Sequence, residues 1–200
     1  MTRAEPVGLV TEGNLFDFFH ERVESAAQHQ RAGVSENARY YLSSLLAEQV
    51  RREDEDPSGP NPTLVELQHR AVTAPAPAEA VNWWRKLGDR SLLLSGYFRE
   101  HLERRRISRS YCVRMGEGAY RSLERLLDLR GAGFAGIYAE LAERYEACVE
   151  VIAEVRDETR ERSDTDIVRL YEEWLASGSP RVAERLRVLG LVPARGTGVG

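Results

Sequence analysis

The stretch FAGIYAELAERYEACVEVIAEV, residues 134–155, decides the fold class. Phe134, Tyr138, Leu141, Tyr145, Cys148, Ile152 and Val155 recur at alternating steps of four and three, the spacing that aligns side chains along one side of an α-helix. Three such heptads predict one long helix packed along its seam in bundle or coiled-coil geometry. The same reading extends outward in both directions. Arg-Gly-Ala-Gly at 130–133 is a helix stop and turn. Before it, Tyr111, Met115, Ala119, Ser122 and Leu126 mark the inner face of a helix that starts at Ser108 or Ser110. Beyond it, the charged stretch 156–162 separates the seam from a helix capped by Ser163, with Ile167, Leu170, Tyr171, Trp174 and Leu175 inward. A last helix opens at Ser179-Pro180 and buries Val182, Leu186 and Leu189 before Gly190.

Further upstream, helical pattern is nearly continuous from Ala78 to Arg106, with Gly88 as a kink position. SLLLSGYF at 91–98 is apolar or small on every side, which predicts the central helix of the bundle. Gly88, Ser91 and Ser95 share a face that lets a neighbouring helix come close. Gly116-Glu117-Gly118, inside a predicted helix, reads as a packing or kink feature. Near the N-terminus, Asn14 and Ser35 cap two amphipathic helices, with Phe18, Phe19 and Val23 inward on the first and Tyr41, Leu42 and Leu45 on the second. Thr63 caps a short helix burying Leu64, Leu67 and Ala71, and Pro77 suits a first turn. The expectation is an all-α, single-domain bundle of about eight helices over residues 13–190, with a leader at 1–12, an exposed acidic proline-rich loop at 53–62 (EDEDPSGPNP) and a tail at 191–200.

Composition narrows the function classes. Hydrophobic content of 42% and charged content of 30% are those of an ordinary globular domain. A net charge of −4 argues against bulk attraction to nucleic acid or an anionic membrane. No apolar run resembles a signal peptide or a membrane span, so a soluble cytoplasmic protein is expected. Lys86 is the only lysine among 28 basic residues, a usage that fits a GC-rich bacterial genome. Cys112 and Cys148 have no metal-type spacing and imply no disulfide framework; Cys148 on the seam reads as a small buried hydrophobe.

No Walker loop, nucleophile elbow or dinucleotide glycine pattern is present, and no catalytic residue is assigned. Glu66 with His69, and less well Asp17 with His20, mimic half of a di-iron pattern, a chance match among 32 acidic residues; no metal and no cofactor are expected. The strongest local anomaly is residues 99–125, with eight arginines against four glutamates. Its first reading is a solvated corner, paired with the acids at 53–56 or with nearby glutamates. Its second is a surface for a partner or anion, led by Arg104, Arg105, Arg106 and Arg109. Adjacent Trp83 and Trp84 cannot easily face one core, so one of them is a candidate for a partner surface. Ser95, Tyr97, Tyr111, Met115 and Tyr120 are candidates to line a pocket inside the bundle. Arg105-Arg106-Ile107-Ser108 also fits a basophilic kinase site, although Ser108 has a simpler role as a helix cap.

Three segments together, ENARYYLSSLL at Glu36–Leu46, LGDRSLLLSGYF at Leu87–Phe98 and YCVRMGEGAY at Tyr111–Tyr120, resemble an uncharacterised family of bacterial all-helical proteins. The resemblance runs from the first helix to about residue 190 and implies one bacterial helical domain. Its motifs are packing motifs, so it carries over no activity and no functional residue. The leading expectation is a non-enzymatic interaction module, regulatory or accessory, that binds a protein partner or itself. The alternatives are a small-molecule site or enzyme within the bundle, and nucleic-acid binding through residues 99–125.

Overall fold

The computed structural model describes residues 12–55, 62–131, 133–179, 182–183 and 186–187, with backbone alone for 12–14, 52–55, 160–170 and 176. Among the described residues eight α-helices follow one another: α1 (Glu12–His29), α2 (Glu36–Glu55), α3 (Leu64–Thr73), α4 (Pro77–Ser95), α5 (Arg99–Arg104), α6 (Arg109–Asp128), α7 (Ala135–Glu143) and α8 (Tyr145–Ser177). Residues 182–183 and 186–187 are helical as well. No strand occurs among the described residues, so the fold is all-α. Residues 1–11 of the expected leader, 56–61 of the loop, the whole tail at 191–200, and 188–190 at the end of the expected last helix lie outside the described residues. No described helix is long and apolar enough to cross a membrane.

The chain forms two compact units, one through Val155 and one from Arg156. In the first, α4 packs most extensively on α6, α6 on α7, α3 on α4 and α1 on α2. The larger core joins Phe19 and Val23 of α1, Leu42 and Leu46 of α2, Leu92 of α4, Tyr120 and Leu123 of α6, Leu141 of α7 and Tyr145, Cys148 and Ile152 of α8. A smaller one gathers Leu64 and Leu67 of α3 with Leu87 of α4, Leu102 of α5 and Cys112 and Ala119 of α6. In the second unit, Trp174 packs with Val182 and Leu186, as their spacing predicts, and with Ala183; Leu189 lies outside the described residues.

Local caps follow the sequence. Thr63 and Glu66 form a reciprocal capping box at the start of α3. The Ser35 hydroxyl accepts from the Ala38 amide at 3.2 Å, and Pro77 occupies the first turn of α4. Four expectations change. The helix entered at Asn14 already begins at Glu12. Helix α8 runs unbroken through the charged 156–162 stretch, so Ser163 opens no new helix.

The third change concerns the seam, which is two helices and not one. Arg144, at φ −105° and ψ 27°, interrupts it between α7 and α8. The flanking bonds persist, from the Arg144 amide to Glu140 O at 2.8 Å and from Cys148 to Arg144 O at 3.0 Å. That continuity keeps Leu141, Tyr145, Cys148, Ile152 and Val155 in phase and buried, while Phe134 before α7 stands 70% exposed. The fourth change places the break in the 78–106 helix at Gly96–Phe98 instead of Gly88. A Cβ at Gly96 would lie 2.8 Å from both Ile152 Cγ2 and Val149 O, so the chain turns where α8 crosses it. Gly88 stays helical and serves contact: a Cβ there would lie 2.4 Å from Tyr120 Cε1. Gly116 answers from α6, where a Cβ would meet Tyr145 Oη at 1.8 Å and Ser91 Cβ at 2.8 Å.

Candidate functional site

Two polar constellations stand out in the first unit, and they contrast in every physical respect. The inner one is built on Asp89 of α4. Tyr41 of α2 donates to its Oδ1 at 2.6 Å and Tyr120 of α6 donates to the same oxygen at 2.8 Å. The Tyr41 ring stands edge-on to Tyr138 of α7 at 5.6 Å between centroids, and Tyr145 of α8 lies 5.9 Å from Tyr120. Tyr145 donates to Gly88 O at a long 3.5 Å. Gly88 makes this possible, because only a residue without Cβ admits the Tyr120 ring beside Asp89.

Asp89 as a residue is half-buried, but the loss of solvent falls on its carboxyl, and burial pushes it up to about 6. The Tyr41 and Tyr120 hydrogen bonds and the Arg85 charge oppose that rise, while Glu48 adds to it. Burial first, and then the Asp89 charge, hold the Tyr41, Tyr120 and Tyr145 hydroxyls well above the usual tyrosine value. All three therefore act as donors near neutral pH. The arrangement joins α2, α4 and α6 through one oxygen, and Tyr120 is wholly enclosed. Periodicity marks Tyr41 as inward, but Asp89 escaped the sequence reading. The signal was a single acid beside Gly88, in a helix with several tyrosines on its neighbours.

The outer constellation is the turn between α5 and α6. Arg104 closes α5, Arg105 follows as its C-cap, and Arg106 takes a left-handed φ of +54°. All three are exposed, and none makes a side-chain hydrogen bond or ion pair with a described residue. Exposed Arg109 is different, because its guanidinium pairs with Glu150 of α8. Arg121 pairs with Glu117 one turn away at 2.7 Å. Pairing with glutamates thus holds for Arg109 and Arg121, Arg104–Arg106 pair with none among the described residues, and the side chains of the acids at 53–56 lie outside the described residues. Beside this turn lies an open cleft of about 550 Å³, lined by Ser95, Arg99, Leu102, Glu103, Ile107 and Glu150 among others. Ile107 is 39% exposed at its rim. Ser108 occupies the N-cap position of α6, yet its hydroxyl bonds Ser110 Oγ at 2.7 Å in place of a backbone amide.

The remaining candidates are dispersed. Ser95 donates to Ser91 O at 2.8 Å and lines the cleft, Tyr97 packs half-buried on the larger core beside Phe98, and Tyr111 and Met115 pack on the smaller core. With Tyr120 bound to Asp89, these five residues do not face one shared space. Trp83 and Trp84 are both half-buried. The Arg70 guanidinium lies 5.0 Å and the Lys86 ammonium 4.6 Å from the Trp83 ring centre, while Trp84 bridges the two cores. Ser91 Oγ is fully buried and makes no hydrogen bond among the described residues.

Three of the residues with metal-ligand chemistry are engaged elsewhere. Glu66 is held by the capping box, His20 Nδ1 lies 3.2 Å from Ser43 Oγ, and His29 pairs with Glu154 at 2.9 Å. Among the described residues no three His, Cys, Asp or Glu side chains converge. Cys148 is buried in the core as its place on the seam predicts, and burial pushes its thiol up to about 12. Compared with protein-family models, curated proteins and solved structures, the chain matches none, so the functional reading rests on these two constellations.

Proposed function

We propose that this chain is a non-enzymatic bacterial interaction module, acting in the cytoplasm in a regulatory or accessory role, that binds a protein partner or a second copy of itself through the α5–α6 turn. The observation that carries the reading is the exposed Arg104–Arg106 run, unpaired among the described residues, beside exposed Ile107 and an open cleft. Arginine is a frequent energetic anchor at interfaces, because its planar fork binds carboxylates with little added ordering. The inner tyrosine–aspartate constellation supports the same reading indirectly. Its hydroxyls are spent on holding helices together, which leaves them no substrate to meet.

The test is crosslinked co-purification from source cells with the wild-type chain and with R104E/R105E/R106E, alongside light scattering of both purified chains. A specific partner, or a dimer, that the variant loses supports the proposal. A wild-type monomer with no specific partner, or identical results for both chains, overturns it. One observation favours a second reading, a small-molecule site near α4: the buried and unbonded Ser91 hydroxyl. Against it, the tight approach of Gly116 and Tyr145 leaves no space there for a ligand.

A further inference from the structure

We infer that the α5–α6 turn recognises a short acidic segment of a partner protein, with carboxylates on Arg104–Arg106 and an aliphatic side chain against Ile107. The inference rests on the interaction-module reading and deepens it by naming the partner's chemistry. Three consecutive guanidiniums are exposed and unpaired among the described residues, so no ion pair with a described residue stands between them and a ligand. Arg109, three residues on, is already neutralised by Glu150. Arg114 and Arg125 of α6 are exposed as well, but the consecutive run at 104–106 spans one turn of chain, about the reach of two to four acidic side chains in an extended peptide.

What surrounds that turn selects the class of anion. The adjoining cleft carries Glu100, Glu103 and Glu150 beside Arg99 and Arg109. A nucleic acid presents a charge at every phosphate, and its backbone would run from the arginines directly onto those glutamates. A peptide carries charge only where its side chains supply it, so an acidic block can end where the glutamates begin. Ile107, between the arginines and the cleft, offers an aliphatic contact that peptide side chains match. The net charge of −4 adds a further penalty against a long polyanion.

Fluorescence anisotropy on the full chain decides the matter, using a labelled twelve-residue peptide with four consecutive glutamates followed by leucine and lysine. Its controls are the same peptide with glutamines for glutamates and a single-stranded DNA dodecamer. At about 20 mM salt the acidic peptide binds, roughly tenfold more tightly than the glutamine peptide, and it weakens by about tenfold at 200 mM salt. R104E/R105E/R106E abolishes the binding while its circular dichroism and melting midpoint stay unchanged. Absence of peptide binding, equal binding by the variant, or tighter binding of the DNA overturns the inference. A companion pair of variants separates this inference from the broader reading. If Ile107→Asp removes the captured partner or dimer and R104Q/R105Q/R106Q does not, the turn is an interface but its partner is not recognised by acidity. If neither variant changes capture, both readings fall.

Discussion

The tyrosine–aspartate constellation and the arginine turn are both concentrations of polar groups on the same helical scaffold, and they spend those groups in opposite ways. Around Asp89 each recorded donor has an acceptor inside the protein, and the rings of Tyr41, Tyr120, Tyr138 and Tyr145 complete the packing. Around Arg104–Arg106 the donors face solvent without an internal acceptor among the described residues. A buried polar group costs free energy unless it is bonded, so the first arrangement must be complete to exist at all. An exposed guanidinium pays no such penalty, because water satisfies it, and it is therefore available to exchange water for a partner. The difference separates groups that specify the fold from groups that the fold presents.

That contrast can be broken by substitution. Gly116→Val drives a side chain into Tyr145 Oη and the Ser91 side chain, and should cost about 3 kcal/mol or more, seen as a large drop in denaturant midpoint. A protein that tolerates it would show the inner packing to be loose. The pH dependence comes next. The Asp89 carboxyl titrates at about 6 in the fold against an ordinary 3.8, so between those values the folded chain holds a proton that the unfolded chain has lost. Its contribution is present in full below about pH 4 and is lost as pH rises through 6, bounded at roughly 3 kcal/mol. The difference in unfolding free energy between wild type and Asp89→Asn, measured from pH 4 to 7, should carry that slope; a flat difference would place Asp89 in water.

Smaller effects complete the series. Tyr120→Phe removes one donor from Asp89 and should destabilise by about 2 kcal/mol in urea titration, raising the Asp89 midpoint further. At the other extreme, R104E/R105E/R106E should alter stability by less than about 0.5 kcal/mol, since exposed charges without partners contribute little. A loss comparable to that of Tyr120→Phe would mean that the arginines serve the fold and would collapse the distinction between the two regions.

Much of this was legible in the sequence wherever a residue acts through its spacing. The seam residues Leu141 to Val155, the capping box at Thr63 and Glu66, and the small face of Gly88, Ser91 and Ser95 were all readable, because period and cap chemistry are local. The break at Arg144 was not readable, since neither Gly nor Pro marks it and the hydrogen bonds on both sides continue. Asp89 stayed hidden for a different reason. Periodicity counts a carboxylate as outward and a tyrosine as apolar, so a carboxylate buried by tyrosines is invisible until both are placed. The arginine excess was visible in composition. Which arginines lacked partners was not, because Glu150 lies 41 residues from Arg109 in the chain.

One detail of the inner constellation has a wider consequence. Both hydroxyls meet the same oxygen, Oδ1 of Asp89. A carbonyl oxygen of a neutral carboxylic acid still offers two lone pairs, so a proton arriving at Oδ2 leaves both tyrosine bonds in place. Asp89 can thus change its charge without changing its shape. Acidification through pH 6 should alter the energy of the helix junction while its connectivity persists.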